Sequence, residues 1–373
     1  MKKILIIGAG FGGLSAARIL SKTSFNVTLV DKKETFDFLP MLPDCLGRGI
    51  TPDFLGYRIE ELAKRYRFDF INEEVLSVSL DTKEISTANK KINFDYLIIS
   101  VGSETNFYGN ENIRQNSFKL DSVEDAKKII SILNKDIFDN YIVAGGGYTG
   151  VEVATNLSLF LKIKKRLGKV VVVERAPSLL GVLPEWMKEY VLNNFKNLGI
   201  GICVNSSIEK IEGKRVFVSG DKIFENSLVI WAAGVKAPSF VQNLNVEKNP
   251  QGRVKVDDFL RLSEFCFIIG DASYFSFRNN YLRMAVQFAI TQGECAAINV
   301  TRGIQRQRLI KYKPLDFGYI IPMANNKSCG RVFGVNLKGA IPTLLHFLMC
   351  IYRSFGFRNR FGIIKDLLKG GGK

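Results

Sequence analysis

The sequence predicts an α/β fold made of two parallel-sheet units, followed by a C-terminal segment of a different kind. Three observations support this prediction. The first two are two copies of one pattern, at residues 1–31 and at residues 141–174. In each copy a short apolar run is followed by a glycine-rich turn, a helix-length segment and a second apolar run. Short strands that alternate with helices are typical of parallel sheets. The third observation is a change of composition after residue 300, where basic and bulky apolar residues are interleaved.

The first copy predicts a strand, a helix and a second strand at residues 4–7, 14–20 and 27–30. Its glycines have the G-x-G-x-x-G spacing and are Gly8, Gly10 and Gly13. In such a turn the first glycine permits the tight bend, the second lets the backbone approach a pyrophosphate, and the third lets the helix pack closely on the strand. Asp31 ends the second strand, where its carboxylate can accept from a ribose hydroxyl. The pattern predicts a dinucleotide site; the alternative is a glycine-rich turn in an unrelated α/β domain.

The second copy predicts a strand at residues 141–144, a helix from about residue 150 to residue 167 with Gly168 as its C-cap, and a strand at residues 170–173. Its glycines are Gly145, Gly147 and Gly150. Two complete patterns suggest two dinucleotides, most simply a flavin and a nicotinamide. Glu174 ends the last strand and favours NADH, because a carboxylate repels a 2′-phosphate. The adjacent Arg175 leaves NADPH open as the less favoured cofactor. The predicted fold class is therefore α/β with two Rossmann-like dinucleotide-binding domains.

Two further strand ends are candidates for cofactor contact. Residues 68–99 predict short strands with turns, and the last of them, FDYLIIS, runs into Ser-Val-Gly-Ser, in which Gly102 would let the backbone approach a cofactor. The run at residues 267–269 leads into Gly-Asp, and Asp271 could bond a ribityl hydroxyl or a water on the pyrophosphate. An isolated Gly-Asp pair is usually only a turn, so Asp271 gains weight from the glycine patterns.

Composition limits the chemistry that the side chains can do. The chain has 373 residues, 46% of them hydrophobic and 24% charged, which predicts two folded domains and a tail. Its six cysteines include no close pair, so dithiol and zinc spacings are absent from the sequence. His346 is the one histidine, which excludes multi-histidine metal sites and histidine-based triads over the body of the chain. We expect no metal site, and chemistry based on carboxylates, Lys, Tyr, Cys or a cofactor.

The formal net charge of +16 implies an anionic partner: nucleic acid, an acidic substrate or a membrane surface. Residues 301–313 are rich in Arg and Lys, and residues 340–352 are apolar but too few to span a bilayer. Residues 353–369 then mix cations with Phe, Ile and Leu. This predicts a C-terminal amphipathic membrane-binding segment; the alternative is a helix packed on its own domain. No DNA-reading or RNA-binding motif is evident, so no specific nucleic acid partner is expected.

With these motifs in hand, the chain resembles the type II NADH:quinone oxidoreductases over nearly its whole length. The stretches that show the resemblance are IIGAGFGGLSAA at 6–17, VGSETNFYG at 101–109, VAGGGYTGVEVA at 143–154, WAAGVKA at 231–237 and IGDAS at 269–273. The nucleotide motifs belong to a whole flavoprotein superfamily, whereas GSETNF and WAAGVKA are more specific to this family.

The stretch VQFAITQG at residues 286–293 is similar to the family's A-Q-x-A-x-Q-Q-G, which borders the flavin and the quinone entrance. The resemblance implies roles there for Gln287 and Gln292, while Val286 and Thr291 depart from the motif. It also implies that Glu152 lies between nicotinamide and flavin, where it could tune hydride or proton transfer; the alternative is a helix acid stabilised by the dipole. The residues implied to hold FAD are Gly8, Gly10, Gly13, Asp31, Gly102 and Asp271, and those implied to hold NADH are Gly145, Gly147, Gly150 and Glu174.

The resemblance implies a non-proton-pumping NADH:quinone oxidoreductase in which hydride passes from NADH to FAD and two electrons pass to a membrane quinone. It implies a peripheral protein on the cytoplasmic face of the cell membrane, bound to anionic lipid, and leaves a homodimer open. The expected domains are FAD-binding at 1–110 and 240–318, NADH-binding at 111–239 and membrane association at 319–373. The alternatives are a sulfide:quinone oxidoreductase-like flavoprotein, for which Cys329 is the candidate thiol, and a flavin-binding interaction protein with nucleic-acid affinity.

Overall fold

A computed structural model describes residues 1–278 and 280–370. The strands in chain order are β1 (Lys3–Ile7), β2 (Asn26–Asp31), β3 (Thr35–Asp37), β4 (Gly56–Arg58), β5 (Asp69–Asn72), β6 (Val75–Ser79), β7 (Glu84–Thr87), β8 (Lys91–Asn93), β9 (Tyr96–Ile99), β10 (Glu104–Thr105), β11 (Asn140–Ala144), β12 (Lys169–Val173), β13 (Gly201–Cys203), β14 (Ile208–Glu212), β15 (Arg215–Val218), β16 (Lys222–Phe224), β17 (Ser227–Trp231), β18 (Val235–Lys236), β19 (Val254–Lys255), β20 (Arg261–Ser263), β21 (Cys266–Ile268), β22 (Ser273–Tyr274), β23 (Ser276–Phe277), β24 (Asn280–Tyr281), β25 (Gly318–Ile321), β26 (Ser328–Val332) and β27 (Val335–Gly339).

The helices in chain order are α1 (Phe11–Leu20), α2 (Leu42–Gly47), α3 (Ile59–Tyr66), α4 (Glu111–Asn116), α5 (Val123–Lys135), α6 (Tyr148–Lys164), α7 (Glu185–Leu198), α8 (Ser239–Gln242), α9 (Val286–Ile304), α10 (Ala340–Arg353) and α11 (Phe357–Gly370). Short 3-10 turns occur at Leu39–Met41, Pro52–Leu55 and Gly270–Ala272. The chain divides into two compact units, here the first unit (1–36, 57–104 and 235–316) and the second unit (37–56, 105–234 and 317–373).

The first unit contains a six-stranded sheet in the order β20-β21-β9-β1-β2-β5, in which all neighbours are parallel except β20 and β21. Its central strand β1 is buried from Ile4 to Ile7, as expected for a strand covered on both faces. Helix α1 packs against α9 so closely that a Cβ on Gly293 would lie 2.3 Å from the Gly12 carbonyl oxygen. The strand–helix–strand pattern predicted for residues 1–31 is confirmed.

The second unit contains a four-stranded parallel sheet in the order β13-β12-β11-β17. The predicted second pattern is confirmed, but its helix ends at Lys164 rather than at residue 167, and the predicted C-cap at Gly168 is wrong. Lys165 adopts the left-handed conformation there, with φ of 51°. Gly168 is needed at the entry to β12 instead, because a Cβ there would lie 2.8 Å from the Tyr141 ring and 2.9 Å from the Phe138 carbonyl oxygen.

The C-terminal part of the second unit consists of an antiparallel sheet, β25-β26-β27, followed directly by α10 and α11. Helix α11 packs with Gly362 against the ring of Phe54, where a Cβ would approach to 2.5 Å, and Asn359 donates to the Gly56 carbonyl at 2.8 Å. The opposite side of both helices exposes large apolar side chains, which are Ile341, Leu344, Leu348, Met349 and Tyr352 on α10 and Phe357, Phe361, Ile364 and Leu368 on α11. Each helix therefore has one packed face and one exposed apolar face. None of the helices in the described residues combines the length and the apolar character needed to cross a membrane.

Candidate functional site

The first glycine turn (residues 8–13) has two positions that only glycine fits. Gly8 has φ of 99°, and a Cβ there would lie 2.5 Å from the Ser100 carbonyl oxygen. A Cβ on Gly13 would lie 1.9 Å from the Gly8 carbonyl oxygen, so the helix could not approach the strand. Gly10 differs, because the nearest atom to its Cβ position is the Ser100 oxygen at 4.0 Å. The turn therefore leaves open space at Gly10, beside the N-terminus of α1, where backbone N–H groups can bind phosphate.

Asp31 closes this turn from the end of β2. Its Oδ2 accepts from the Ala9 N–H at 2.6 Å, and its Oδ1 accepts from the Lys33 N–H at 2.8 Å. A carboxylate has about four lone-pair sites, so each oxygen keeps capacity to accept from a ribose hydroxyl. The structure thus places Asp31 beside the glycine turn, as the sequence predicts, and gives it a second task in holding that turn.

The second glycine turn (residues 145–150) repeats this geometry in the second unit. Gly145 has φ of 100°, and Gly147 precedes α6 with φ of −76° and ψ of −167°, against −76° and −169° at Gly10. A Cβ on Gly150 would lie 1.8 Å from the Gly145 oxygen, whereas one on Gly147 would meet nothing within 4 Å. Glu174 accepts from the Gly146 N–H at 2.6 Å and from the Ala176 N–H at 2.7 Å. Each unit therefore has one glycine turn of the kind that can hold a pyrophosphate, closed by the acid that follows the adjacent strand.

The two glycines Gly150 and Gly147 offer a matched test of the second glycine turn. We expect Gly150→Ala to lower the melting temperature sharply, since overpacking of this kind typically costs about 1–3 kcal/mol or more. We expect Gly147→Ala to melt like the wild type but to weaken NADH binding, because the new methyl group occupies the open space. Thermal denaturation and NADH titration of both variants test this. Equal behaviour of the two would contradict the assignment of Gly147 to the phosphate site.

Gly102 and Asp271 follow the neighbouring parallel strands β9 and β21 in the first unit. Ser103 donates its hydroxyl to Asp271 Oδ2 at 3.2 Å, so the structure brings the two predicted segments together. Gly102 has φ of 66° and open space at its Cβ position. Burial raises the pKa of Asp271, against the opposing effects of Ser103 and Arg253. The ends of parallel strands are where α/β sheets bind ligands, which makes this edge a site of the expected kind.

Gln292 and Gln287 lie on α9 in the same unit and have protein partners. Gln292 is 2% exposed, and its Oε1 accepts from the Gly270 N–H at 2.6 Å and from the Ser273 hydroxyl at 3.1 Å. It therefore ties α9 to the turn that contains Asp271. Gln287 donates to Asp316 at 3.0 Å. Thr291, which departs from the family motif, has its hydroxyl 2.8 Å from that of Tyr312.

Glu152 lies near the start of α6, and burial raises its pKa to about 8; Asp44 also raises it, while His346 lowers it. Gly47 brings α2 against this helix, because its Cβ position is 2.1 Å from the Asn156 carbonyl oxygen. We call the residues around it the acid cluster, which consists of Asp44, Arg48, Glu152 and His346. The carboxyl group of Glu152 is neutral at pH 7 and can hold a proton that most glutamates release.

The other members of the acid cluster pair with one another. Asp44 Oδ1 lies 3.1 Å from Arg48 Nε, and Asp44 Oδ2 lies 3.9 Å from His346 Nε2. Burial lowers the pKa of His346, but Cys350 and Asp44 outweigh it and raise that pKa well above the usual value. The sequence analysis singled out Glu152 but missed its neighbours, because Asp44, Glu152 and His346 are about 100 to 300 residues apart and form no motif. The only signal was the isolated histidine in an otherwise apolar run.

The cysteines form no redox pair. All six lie within the described residues and are unpaired. Cys329 is fully buried in β26, and burial raises its pKa to about 12. The reactive form of cysteine is the thiolate, so Cys329 is a poor nucleophile. Across the described ranges, no group of three or more His, Cys, Asp or Glu side chains has an arrangement that could hold a metal ion.

Comparison with known proteins extends these observations. A family model described as pyridine nucleotide-disulphide oxidoreductase matches residues 2–293. A Staphylococcus saprophyticus protein named Type II NADH:quinone oxidoreductase is 25% identical over 369 residues, which cover 91% of each chain. This name confirms the resemblance found in the motifs.

The fold of this chain is also similar to that of proteins with solved structures. NDH2 from Plasmodium falciparum in complex with NADH has a TM-score of 0.86 at 18% identity, covering 99% of this chain and 98% of that one. The sulfide:quinone oxidoreductase from Aquifex aeolicus has a TM-score of 0.81 at 19% identity, covering 97% and 92%. At such identities the likeness shows the fold alone.

Proposed function

The chain belongs to the pyridine nucleotide-disulphide oxidoreductase family, and from this premise we propose that it is an FAD-dependent, non-proton-pumping NADH:quinone oxidoreductase. The observation that carries the proposal is the pair of matched glycine turns, one in each unit, each closed by the acid that follows the adjacent strand. The name of the curated relative supports the choice of NADH and quinone. The unpaired cysteines argue against a dithiol reaction.

The first unit would hold FAD and the second unit NADH. Residues 37–56 and 317–373 belong to the second unit, so they would be part of the NADH-binding unit. FAD fits the first unit because the position at Gly10, beside the α1 N-terminus, is open and because Asp271 follows β21, two strands from β1 in the same sheet. The residues that would hold it are Gly8, Gly10, Gly13, Asp31, Gly102 and Asp271. Bound FAD would provide the redox chemistry that transfers two electrons from NADH to a quinone. Gln287 and Gln292 would border the flavin, with Gln292 fixing the Asp271 turn.

The second unit would bind NADH through Gly145, Gly147, Gly150 and Glu174. Both oxygens of Glu174 are held by backbone N–H groups, so its charge is fixed beside the turn. The guanidinium carbon of the adjacent Arg175 lies 5.8 Å from the centre of the Tyr108 ring, so this cation has a partner within the protein. This arrangement favours NADH over NADPH.

We therefore expect Glu174→Gln to raise the NADPH/NADH ratio of kcat/KM by about tenfold, because it removes a charge that repels the 2′-phosphate while keeping one acceptor oxygen. Steady-state kinetics with both nucleotides measures this ratio. Arg175→Gln is the matched control and should leave NADH use unchanged. An unaltered ratio in Glu174→Gln would remove Glu174 from the ribose site.

The exposed apolar faces of α10 and α11 would bind the membrane. Helix α11 also carries exposed cations, which are Arg358, Arg360, Lys365 and Lys369, and these suit anionic headgroups. We propose a peripheral protein on the cytoplasmic face of the cell membrane that takes its quinone from the bilayer. No part of this proposal requires a helix that crosses the membrane.

Anaerobic stopped-flow absorbance in the flavin band tests the proposed reaction. The purified protein is mixed first with NADH and then with a short-chain quinone, and sulfide is tried separately as the donor. Bleaching by NADH and recovery with quinone are the expected results. Bleaching by sulfide but not by NADH would overturn the proposal in favour of the sulfide-oxidising alternative, which the fold likeness allows and the buried Cys329 disfavours.

A further inference from the structure

Arg253 is a buried cation in the first unit that no motif singled out. It precedes β19, which pairs with β22, and it is 6% exposed. Its Nε donates to the carbonyl oxygens of Asp271 at 3.1 Å and Ser273 at 3.0 Å, and its Nη2 donates to the carbonyl of Leu282 at 3.2 Å. Among the described residues, no carboxylate lies within 4.0 Å of its guanidinium nitrogens.

Burying a charge among neutral hydrogen-bond partners costs free energy, so the position of Arg253 must provide a compensating gain. The three carbonyls lie on the segment that runs from the end of β21 toward α9, and they would be left without this donor if the guanidinium were removed. The segment begins with the Gly270–Ala272 turn, in which the Gly270 N–H donates to Gln292. Arg253 and Gln292 together fix the backbone of the turn that contains Asp271.

Arg253 also acts on the Asp271 carboxyl itself. The groups that act on this carboxyl are the Ser103 hydroxyl, which donates to it at 3.2 Å, and the Arg253 guanidinium, which binds the backbone carbonyl of the same residue. Burial favours the neutral acid, whereas a neighbouring cation favours the carboxylate. The carboxylate is the form that accepts two hydrogen bonds from a polyol or a bound water without offering a proton.

We propose that Arg253 is a positioning residue of the flavin site, which holds the Gly270–Ala272 turn through the carbonyls of Asp271 and Ser273 and places a positive charge beside Asp271. This inference rests on the proposed function, since it takes Asp271 to contact bound FAD. Arg253 acts through Asp271 and through the backbone, and it need not touch the cofactor.

The test follows FAD release from the holoenzyme, measured by the fluorescence of free FAD after dilution at several pH values. The variants are Arg253→Met, Arg253→Lys, Asp271→Asn and the double variant Arg253→Met with Asp271→Asn, with Arg261→Met as the control for loss of an arginine elsewhere in this unit. Arg253→Lys keeps the charge and guards against a Met variant that fails to fold. Thermal denaturation of each holoenzyme monitors folding.

We expect Arg253→Met to speed FAD release about tenfold at neutral pH, with a pH dependence shifted upward because its Asp271 protonates more easily. Arg253→Lys should restore the wild-type pH dependence, and Arg261→Met should match the wild type. In the Asp271→Asn background, Arg253→Met should lose its pH-dependent effect.

Three results would overturn the inference. One is a wild-type pH profile in Arg253→Met, the second is full additivity of Arg253→Met with Asp271→Asn, and the third is unchanged FAD release in Asp271→Asn. A wild-type protein that contains no FAD would refute the proposed function itself, and it would do so before any variant is made.

Discussion

The double substitution Leu344→Glu with Leu348→Glu is expected to release the protein from anionic vesicles and to abolish reduction of a long-chain quinone in those vesicles. The two leucines are 60% and 54% exposed and lie one turn apart on α10. Burying one leucine side chain contributes about 1.5–3 kcal/mol, so losing two should weaken membrane binding by at least a factor of about a hundred. Reduction of a short-chain quinone in solution should be unchanged, since neither leucine lies in the proposed cofactor sites.

Co-sedimentation with vesicles and quinone reduction by NADH measure the two parts of this prediction. The matched control is Leu76→Glu with Leu167→Glu, which changes two other exposed leucines, at 56% and 90%, outside α10 and α11. This control should bind vesicles like the wild type. If it releases the protein as fully as the α10 variant does, added negative charge explains the effect and the apolar face does not.

Raising the salt concentration distinguishes the two contributions to membrane binding. The attraction between basic side chains and anionic lipid is screened by salt, whereas the burial of apolar side chains is not. The wild type should therefore lose only part of its binding at high salt. Binding that disappears entirely would indicate that the cations act alone and that the apolar faces remain in water.

The glycine turns could be predicted from the sequence because their requirements are local. Each pattern lies within about thirty residues, and Gly13 and Gly150 are fixed by contact with the carbonyl oxygens of Gly8 and Gly145 in the same turn. The end of α6 could not be predicted in the same way. Gly168 looked like a C-cap, but Lys165 takes the left-handed position and Gly168 relieves a clash with Tyr141.

The predicted site residues differ in how much their surroundings could be foreseen. The partner of Asp31 lies in the adjacent turn, so its contact with Ala9 follows from the motif. The motif around Gln292 indicated a position beside the flavin, but it gave no indication that the side chain would bind the Gly270 N–H. The acid cluster combines α2, α6 and α10, and such long-range contacts are set by tertiary packing that no local pattern encodes.

We propose that Glu152 supplies a proton during quinone reduction, so that the wild-type rate declines above pH 8. Glu152→Gln is then expected to slow quinone reduction about a hundredfold and to remove this decline, because proton transfer by a positioned group typically contributes about 10²–10⁴-fold. The pKa of Glu152 is about 8, so its carboxyl holds a proton at pH 7 and loses it as the pH rises through that value. Glutamine keeps the shape but has no acidic proton. Stopped-flow rates of reduced enzyme with quinone, measured across the pH range, give both results.

The same substitution should change stability with a sign that follows from linkage. The folded state binds more protons at Glu152 than the unfolded state does between the ordinary pKa of 4.5 and about 8, so the free energy of unfolding of the wild type falls as the pH rises through this window. Glu152→Gln removes this pH-dependent fall in the free energy of unfolding, because glutamine does not titrate. The variant should match the wild type near pH 4 and melt at a higher temperature above pH 8. A constant difference at all pH values would show that the carboxyl has an ordinary pKa.

His346 connects the acid cluster to this prediction, because its positive charge lowers the pKa of Glu152. His346→Gln should therefore move the decline of quinone reduction to higher pH, while His346→Lys, which keeps a positive charge, should leave it nearer the wild-type position. Asp44 works in the opposite direction, so Asp44→Asn should move the decline to lower pH. Opposite shifts from these two variants would show that Glu152 titrates within the cluster. Unchanged profiles in both would mean that burial alone sets the pKa of Glu152.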